Sequence, residues 1–127
     1  MPCGRNRENS QPVPELKIKA MQQPLLTIVI PTFRAERTLQ ASLDSVLGQD
    51  LRDLEVLIMD GGSQDGTNAI ALAAAASDPR VYFFSEPDKG VYDAMNKGIA
   101  RARGAWIYFL GSDDVLHNSK VLTSVFN

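Results

Sequence analysis

The chain has 127 residues, of which 44% are hydrophobic and 22% are charged, a composition typical of one soluble globular domain with room for a core. A formal net charge of −2 argues against nucleic acid as a partner, because proteins that bind the phosphate backbone carry a clustered basic face. The single cysteine, Cys3, excludes an internal disulfide, so nothing in the sequence requires an oxidising compartment.

The N-terminal stretch differs in composition from the rest of the chain. Residues 1–24 are rich in proline and show no apolar periodicity, so we expect a disordered tail in this range. Residues 25–30 form a continuous apolar run ended by Pro31, which predicts a first strand buried on both faces. A helix is predicted next, over about 35–47, with Gly48 as its stop and with four apolar residues at helical spacing: Leu39, Leu43, Val46 and Leu47.

Three further strands are predicted, each followed by helical or polar sequence. A second buried strand over 54–59 leads into a polar loop, where Asp65 is expected to cap an alanine-rich helix over about 67–76. A short third strand over 81–84 precedes a third helix, and a fourth buried strand over 106–110 precedes a final helix near 119. The apolar face of the third helix is predicted to contain Val91, Ala94, Met95, Ile99 and Ala102.

This alternation of strands and helices predicts an α/β fold: a mainly parallel sheet with helices on both faces. In such a sheet, ligands bind outside the carboxyl ends of the strands, so the residues after each strand are the ones that can meet at a common site. The predicted polar segments after the first, second and fourth strands are Pro31-Thr32-Phe33, the loop from Asp60 to Thr67, and Gly111-Ser112-Asp113-Asp114.

Several carboxylates at one edge would repel a phosphorylated ligand unless a divalent cation lay between them. Ligands that are all oxygen favour a hard ion such as Mg²⁺ or Mn²⁺, so the acidic edge predicts a metal-bridged diphosphate. A carboxylate also accepts well from the ring N–H of a nucleobase, and Asp60 is the residue that we expect to do so.

Three motifs in this order, TIVIPTF, EVLIMDGGSQDGT and SEPDKGVYDAMNKGIARARGAWIYFLGSDD, resemble those of family 2 glycosyltransferases, especially bacterial ones that build cell-surface polysaccharides. The resemblance runs from about Leu25 to the C-terminus. It implies a Rossmann-like GT-A nucleotide-diphospho-sugar transferase fold, of which residues 25–127 would form the nucleotide-sugar-binding half, truncated before the acceptor half.

The resemblance also implies roles for individual residues. In the acidic motif, Ser112 replaces an acidic residue that the family sometimes carries, while the metal ligand is retained. Pro31 and Thr32 would line the nucleoside pocket, and Asp60 would accept a hydrogen bond from the base. Lys89 would face the diphosphate. Asp113 would contact the ribose or the water shell of the metal, and Asp114 would bind the Mn²⁺ or Mg²⁺ itself.

The implied activity is metal-dependent transfer of a sugar, with inversion, from a nucleoside-diphosphate donor, UDP being expected, to a glycan or lipid-linked acceptor. The catalytic base is expected beyond Asn127, so this chain should bind donor without efficient transfer. No apolar run in the sequence approaches the roughly 18 residues that span a bilayer. We therefore expect a cytoplasmic protein, with any association with the inner face of the membrane made through residues beyond 127.

Three alternatives remain open at this point. The chain could be a truncated, inactive nucleotide-binding fragment. A haloacid-dehalogenase-like phosphatase is disfavoured because Asp60 is followed by Gly61 and Gly62, with the next carboxylate five positions on, so the paired nucleophile and acid are missing. A dinucleotide-binding module is weaker still, because these glycines follow the second strand and do not form G-x-G-x-x-G.

Overall fold

The structure, a computed structural model, describes residues 23–126. The predicted N-terminal tail therefore lies, apart from its last two residues, outside the described residues. In chain order the described elements are β1 (Leu26–Thr32), α1 (Leu39–Leu47), β2 (Leu54–Asp60), α2 (Thr67–Ser77), β3 (Val81–Ser85), α3 (Val91–Arg101), β4 (Trp106–Phe109) and α4 (Val121–Phe126).

The four strands form one parallel sheet in the order β3-β2-β1-β4. Strand β1 is therefore central, with β2 on one side and β4 on the other. The register places Thr32 beside Asp60 and Asp60 beside Ser85, so the last residues of three strands lie in one row. The predicted α/β class and parallel sheet are confirmed, and the carboxyl ends of all four strands share one edge.

Helices cover both faces of the sheet, as predicted. On one face the larger apolar cluster includes Leu39, Leu43 and Val46 of α1, all of which are fully buried against β1 and β2. On the other face α3 covers a smaller cluster around Val29. Strands β1 and β2 are buried along almost their whole length because neighbours lie beside them and helices lie above and below.

Helix α3 contacts the sheet through small residues. Of the predicted apolar face only Ala94 is buried; Val91 is 54% exposed and Ile99 also faces outwards. The second buried position is Gly98, where an added Cβ would lie 2.5 Å from a methyl carbon of Val29. The predicted face was therefore wrong in part, because the close approach of helix and sheet selects the smallest side chains and not the most apolar ones.

Strand β4 was predicted to be buried, and this was wrong. No residue of β4 is buried, and Trp106 is 61% exposed. Among the described residues β4 has a neighbour, β1, on one side only. Its aromatic side chains therefore keep much of their surface open, and Trp106 makes one edge-on ring contact, with Phe126 at 6.3 Å between centroids.

Candidate functional site

Residues from three strand ends and from the start of α3 line a common cavity of about 460 Å³. The meeting of separate strand ends at one site, which the sequence predicts, is thus observed. Two of the predicted donor-binding residues, Pro31 and Thr32, lie in the cavity wall. The full lining is Pro31, Thr32, Phe33, Gly61, Asp88, Gly90, Val91, Ala94 and Ser112.

Asp60 is the last residue of β2 and is only 3% exposed. Its Oδ1 accepts hydrogen bonds from the hydroxyls of Thr32 (2.7 Å) and Ser63 (2.6 Å). Its Oδ2 accepts from the amides of Gly62 (2.9 Å) and Ser63 (2.7 Å) and from the hydroxyl of Ser85 (2.8 Å). Two carboxylate oxygens offer about four lone-pair positions, so these five donors use them all.

Burial of the side chain acts to raise the pKa of Asp60, but the hydrogen bonds that it accepts, first of all from Ser63, outweigh burial. Its pKa therefore lies below the ordinary value of 3.8, and at neutral pH the group is a carboxylate. The structure places the predicted base-reading residue among the groups that hold the strand-end loop together, and outside the cavity lining.

The loop after β1 is tied to the loop after β2. The Arg34 amide donates to the Ser63 hydroxyl (2.8 Å), and the Ala35 amide donates to the Thr67 hydroxyl (2.8 Å). Asp65, the predicted helix cap, accepts from the Thr67 amide at the start of α2 (3.0 Å), which satisfies a free helix N–H. Phe33 directly precedes these tied residues, and its exposed ring lies in the cavity wall.

Asp113 and Asp114 follow β4 and are both exposed. The Ser42 hydroxyl holds their backbone by donating to the carbonyl oxygens of Ser112 (2.9 Å) and Asp114. Both carboxylates lie close to Gly111: an added Cβ there would lie 2.6 Å from Asp114 Oδ2 and 3.1 Å from Asp113 Oδ1. Neither carboxylate accepts a hydrogen bond or forms an ion pair with another of the described residues.

This arrangement fits a cation of the Mg²⁺ or Mn²⁺ type. Such ions are commonly bound by one or two carboxylates together with substrate phosphates and water. Residues 23–126 contain no group of three or more acidic, histidine or cysteine side chains that could enclose a metal by themselves. The Asp113–Asp114 pair has the chemistry of a partial site, in which a ligand and water supply the remaining coordination.

In the loop between β3 and α3, the residue that lines the cavity is Asp88 and not Lys89. Lys89, the predicted diphosphate contact, is exposed and does not line the cavity; its amide donates to Asp93 (2.9 Å). The preceding residue, Asp88, lines the cavity instead. Sequence reasoning missed Asp88, although this carboxylate lies in the turn-forming segment from Glu86 to Gly90, directly beside Lys89.

The model of Glycosyl transferase family 2 matches residues 27–126. The chain belongs to this family. One curated relative, a PGL/p-HBAD biosynthesis glycosyltransferase of Mycobacterium bovis, is 42% identical over 83% of this chain and 41% of the relative. A second, the chondroitin synthase of Escherichia coli, is 39% identical over 77% of this chain and 14% of the relative. This family 2 chain thus spans less than half the length of either relative.

Solved structures show the same fold. The mannosyltransferase PcManGT from Pyrobaculum calidifontis, in complex with GDP-Man and Mn²⁺, has a TM-score of 0.75 at 23% identity, covering 84% of this chain and 32% of that one. S. aureus TarS 1-349 in complex with UDP-GlcNAc has a TM-score of 0.73 at 23% identity, covering 80% of this chain and 30% of that one. These neighbours confirm the predicted GT-A-type fold. Across the described part of this family 2 chain, no helix is both long and apolar enough to cross a bilayer.

Proposed function

We propose that this family 2 chain binds a nucleoside-diphosphate sugar, a UDP-sugar by preference, in the cavity at the strand ends, with Mn²⁺ or Mg²⁺ between the diphosphate and the Asp113–Asp114 pair. The observation that carries the proposal is the position of these two exposed carboxylates. They directly follow Ser112, which lines the cavity, and they have no partner among the described residues. Two adjacent negative charges favour a cation beside them.

Different residues of the chain would contact different parts of the ligand. Pro31 and Thr32 would contact the nucleoside, and the exposed ring of Phe33 offers a flat apolar surface beside it. Asp114 would coordinate the cation directly, and Asp113 would bind the ribose or the water around the ion. When bound, the cation would neutralise the diphosphate and stabilise the departing nucleoside diphosphate. Neighbouring structures solved with GDP-Man and Mn²⁺ and with UDP-GlcNAc support this ligand class.

For the whole protein we infer sugar transfer with inversion to a glycan or lipid-linked acceptor, on the cytoplasmic side of the membrane. In such a reaction a general base deprotonates the acceptor hydroxyl that displaces the nucleoside diphosphate. Among the described residues that line the cavity, Asp88 alone has an ionisable side chain. The name of one relative, chondroitin synthase, supports a glycan acceptor.

Calorimetric titration of UDP and GDP into the protein, with Mn²⁺ and with EDTA, tests the proposal. We expect binding that requires Mn²⁺. Absence of binding to both nucleotides in both buffers would overturn it. Turnover of p-nitrophenyl phosphate, which a phosphatase would hydrolyse, should be absent. Release of UDP from UDP-sugars in the same preparation should be slow or undetectable, because the mixture supplies no acceptor hydroxyl other than water.

A further inference from the structure

Gly61 lies directly beside the carboxylate of Asp88. An added Cβ at this position would lie 2.7 Å from Oδ2, 2.8 Å from Oδ1 and 2.9 Å from Cγ of Asp88, which is closer than atoms can approach without one of them moving. The backbone does not require glycine here, because the left-handed conformations in this part of the chain belong to Gly62 (φ 93°) and Gly90 (φ 116°). The missing side chain at position 61 therefore serves the placement of the Asp88 carboxylate.

Asp88 and Asp60 differ in how much of their accepting capacity is used. Asp60 accepts five hydrogen bonds and lies outside the cavity lining. The Asp88 carboxylate accepts one among the described residues, from the Gly90 amide to Oδ1 (3.0 Å), and it lines the cavity. Its Oδ2 is thus available to a ligand, whereas a ligand could use Asp60 only by displacing a donor from the loop.

From these two observations we propose that Asp88 is the carboxylate that accepts a ring N–H of the donor's nucleobase, and that Gly61 makes room for it. This assignment rests on the proposed nucleotide binding in the cavity. A carboxylate can accept but not donate, so it favours uracil and guanine, which carry a ring N–H on the pairing edge. It disfavours cytosine and adenine, which carry an acceptor nitrogen there. Asp88 thereby determines which nucleoside diphosphate the site selects.

Nucleotide pairs that differ at this edge test the proposal. Dissociation constants are measured with Mn²⁺ for UDP against CDP, for GDP against ADP, and for pyrophosphate, which has no base. We expect the wild-type chain to prefer UDP over CDP or GDP over ADP. In Asp88→Asn the amide can donate to the acceptor nitrogen, so the preference should fall by about tenfold or more, since a hydrogen bond to a charged group contributes about 1.5–3 kcal/mol. Pyrophosphate affinity should remain unchanged.

Two further variants separate this role from a structural one. Gly61→Ala keeps the Asp88 carboxylate but displaces it, because its flexible end is what the new Cβ meets; we expect the base preference to fall as in Asp88→Asn. Glu86→Gln is the matched control, since it makes the same carboxylate-to-amide change in the same loop. Glu86 pairs with Lys97 (3.3 Å) and does not line the cavity, so its base preference should equal that of the wild type.

The outcomes distinguish this proposal from the one on which it rests. If the wild-type chain binds none of the nucleotides, the proposed function falls, and this assignment falls with it. If the wild type binds nucleotides but Asp88→Asn keeps the wild-type preference, or loses affinity for pyrophosphate as much as for UDP, the base-reading role is wrong while nucleotide binding stands. Thermal unfolding of each variant, monitored by circular dichroism, shows that the compared proteins are folded.

Discussion

Asp60 ends one strand of the sheet and the Asp113–Asp114 pair follows another, and the sequence predicts a ligand for all three. In the structure they have opposite surroundings. Asp60 is buried and saturated by five donors from the hydroxyls and amides around it, whereas Asp113 and Asp114 are exposed and accept from none of the described residues. The comparison shows that a position at a strand end does not by itself decide whether a carboxylate remains open to a ligand. The supply of nearby donors does.

The largest predicted effect tests the contrast between Asp60 and Asp114, and it is a change in the free energy of unfolding. Asp60→Ala leaves the buried donors of Ser63 and Thr32, and also the Ser85 hydroxyl, without their acceptor, so we expect the free energy of unfolding to fall by about 3 kcal/mol. Urea denaturation measures it. Asp114→Ala, which removes no intramolecular hydrogen bond among the described residues, should change stability by less than about 0.5 kcal/mol. Equal losses in the two variants would contradict the distinction.

The next largest predicted effect is on cation-dependent binding of the nucleotide. Asp114→Asn should weaken Mn²⁺-dependent UDP binding by at least about tenfold, because even indirect contacts of a metal site commonly contribute that much to affinity. Calorimetry in Mn²⁺ and in EDTA measures the difference. Asp53→Asn is the matched control, since Asp53 is exposed and precedes β2 at the opposite edge of the sheet. A loss of the same size in both variants would mean that net charge, and not coordination, is responsible.

A smaller effect concerns acid stability. The pKa of Asp60 is lowered in the folded state, so its stabilising contribution is complete above the unfolded value near 3.8 and disappears as the pH falls through the lower, folded value. The midpoint of thermal unfolding should therefore decrease below about pH 4. The decrease should be shallower in Asp60→Asn, which cannot titrate at this position. Parallel pH profiles for the two proteins would show that Asp60 is not the group concerned.

The smallest predicted effect comes from adding a side chain at Gly111, beside the exposed carboxylates. Gly111→Ala should displace the flexible end of Asp114 and weaken Mn²⁺-dependent UDP binding by less than Asp114→Asn does, with stability nearly unchanged. Gly104→Ala is the contrasting control: its Cβ would lie 2.5 Å from the backbone nitrogen of Thr27, which cannot move aside, so about 1–3 kcal/mol of stability should be lost. Unaltered UDP affinity in Gly111→Ala would show that the position of the Asp114 carboxylate beside Gly111 does not matter to cation binding.

Strands β1 and β4 show how far the sequence could predict the fold. Both are apolar runs that end in polar sequence, and both were predicted to be buried. Strand β1 is buried because β2 and β4 lie beside it, whereas β4 lies at the edge and exposes Trp106. An apolar run indicates that a strand forms, but its place in the sheet depends on its neighbours, which no single segment specifies.

In the candidate site, too, some residues could be predicted from the sequence and others could not. Pro31 and Thr32 were predicted from the resemblance and lie in the cavity lining, because they form the carboxyl end of β1. The assignments of Asp60 and Lys89 placed a nucleobase contact and a diphosphate contact on residues that do not line the cavity. Residue type and position alone could not show that the donors around Asp60 consume its oxygens, or that Asp88 reaches the space beside Gly61.

The sequence by itself determined the order of strands and helices, the parallel sheet and the family, because apolar runs, helical periodicity and ordered motifs are local properties of the chain. The tertiary structure alone decided which strand lies at the edge and which carboxylates remain open to a ligand. These outcomes depend on partners far apart in sequence, such as Thr32 with Asp60, 28 positions away, and Ser85 with Asp60, 25 positions away. Such pairs meet only when the strands align.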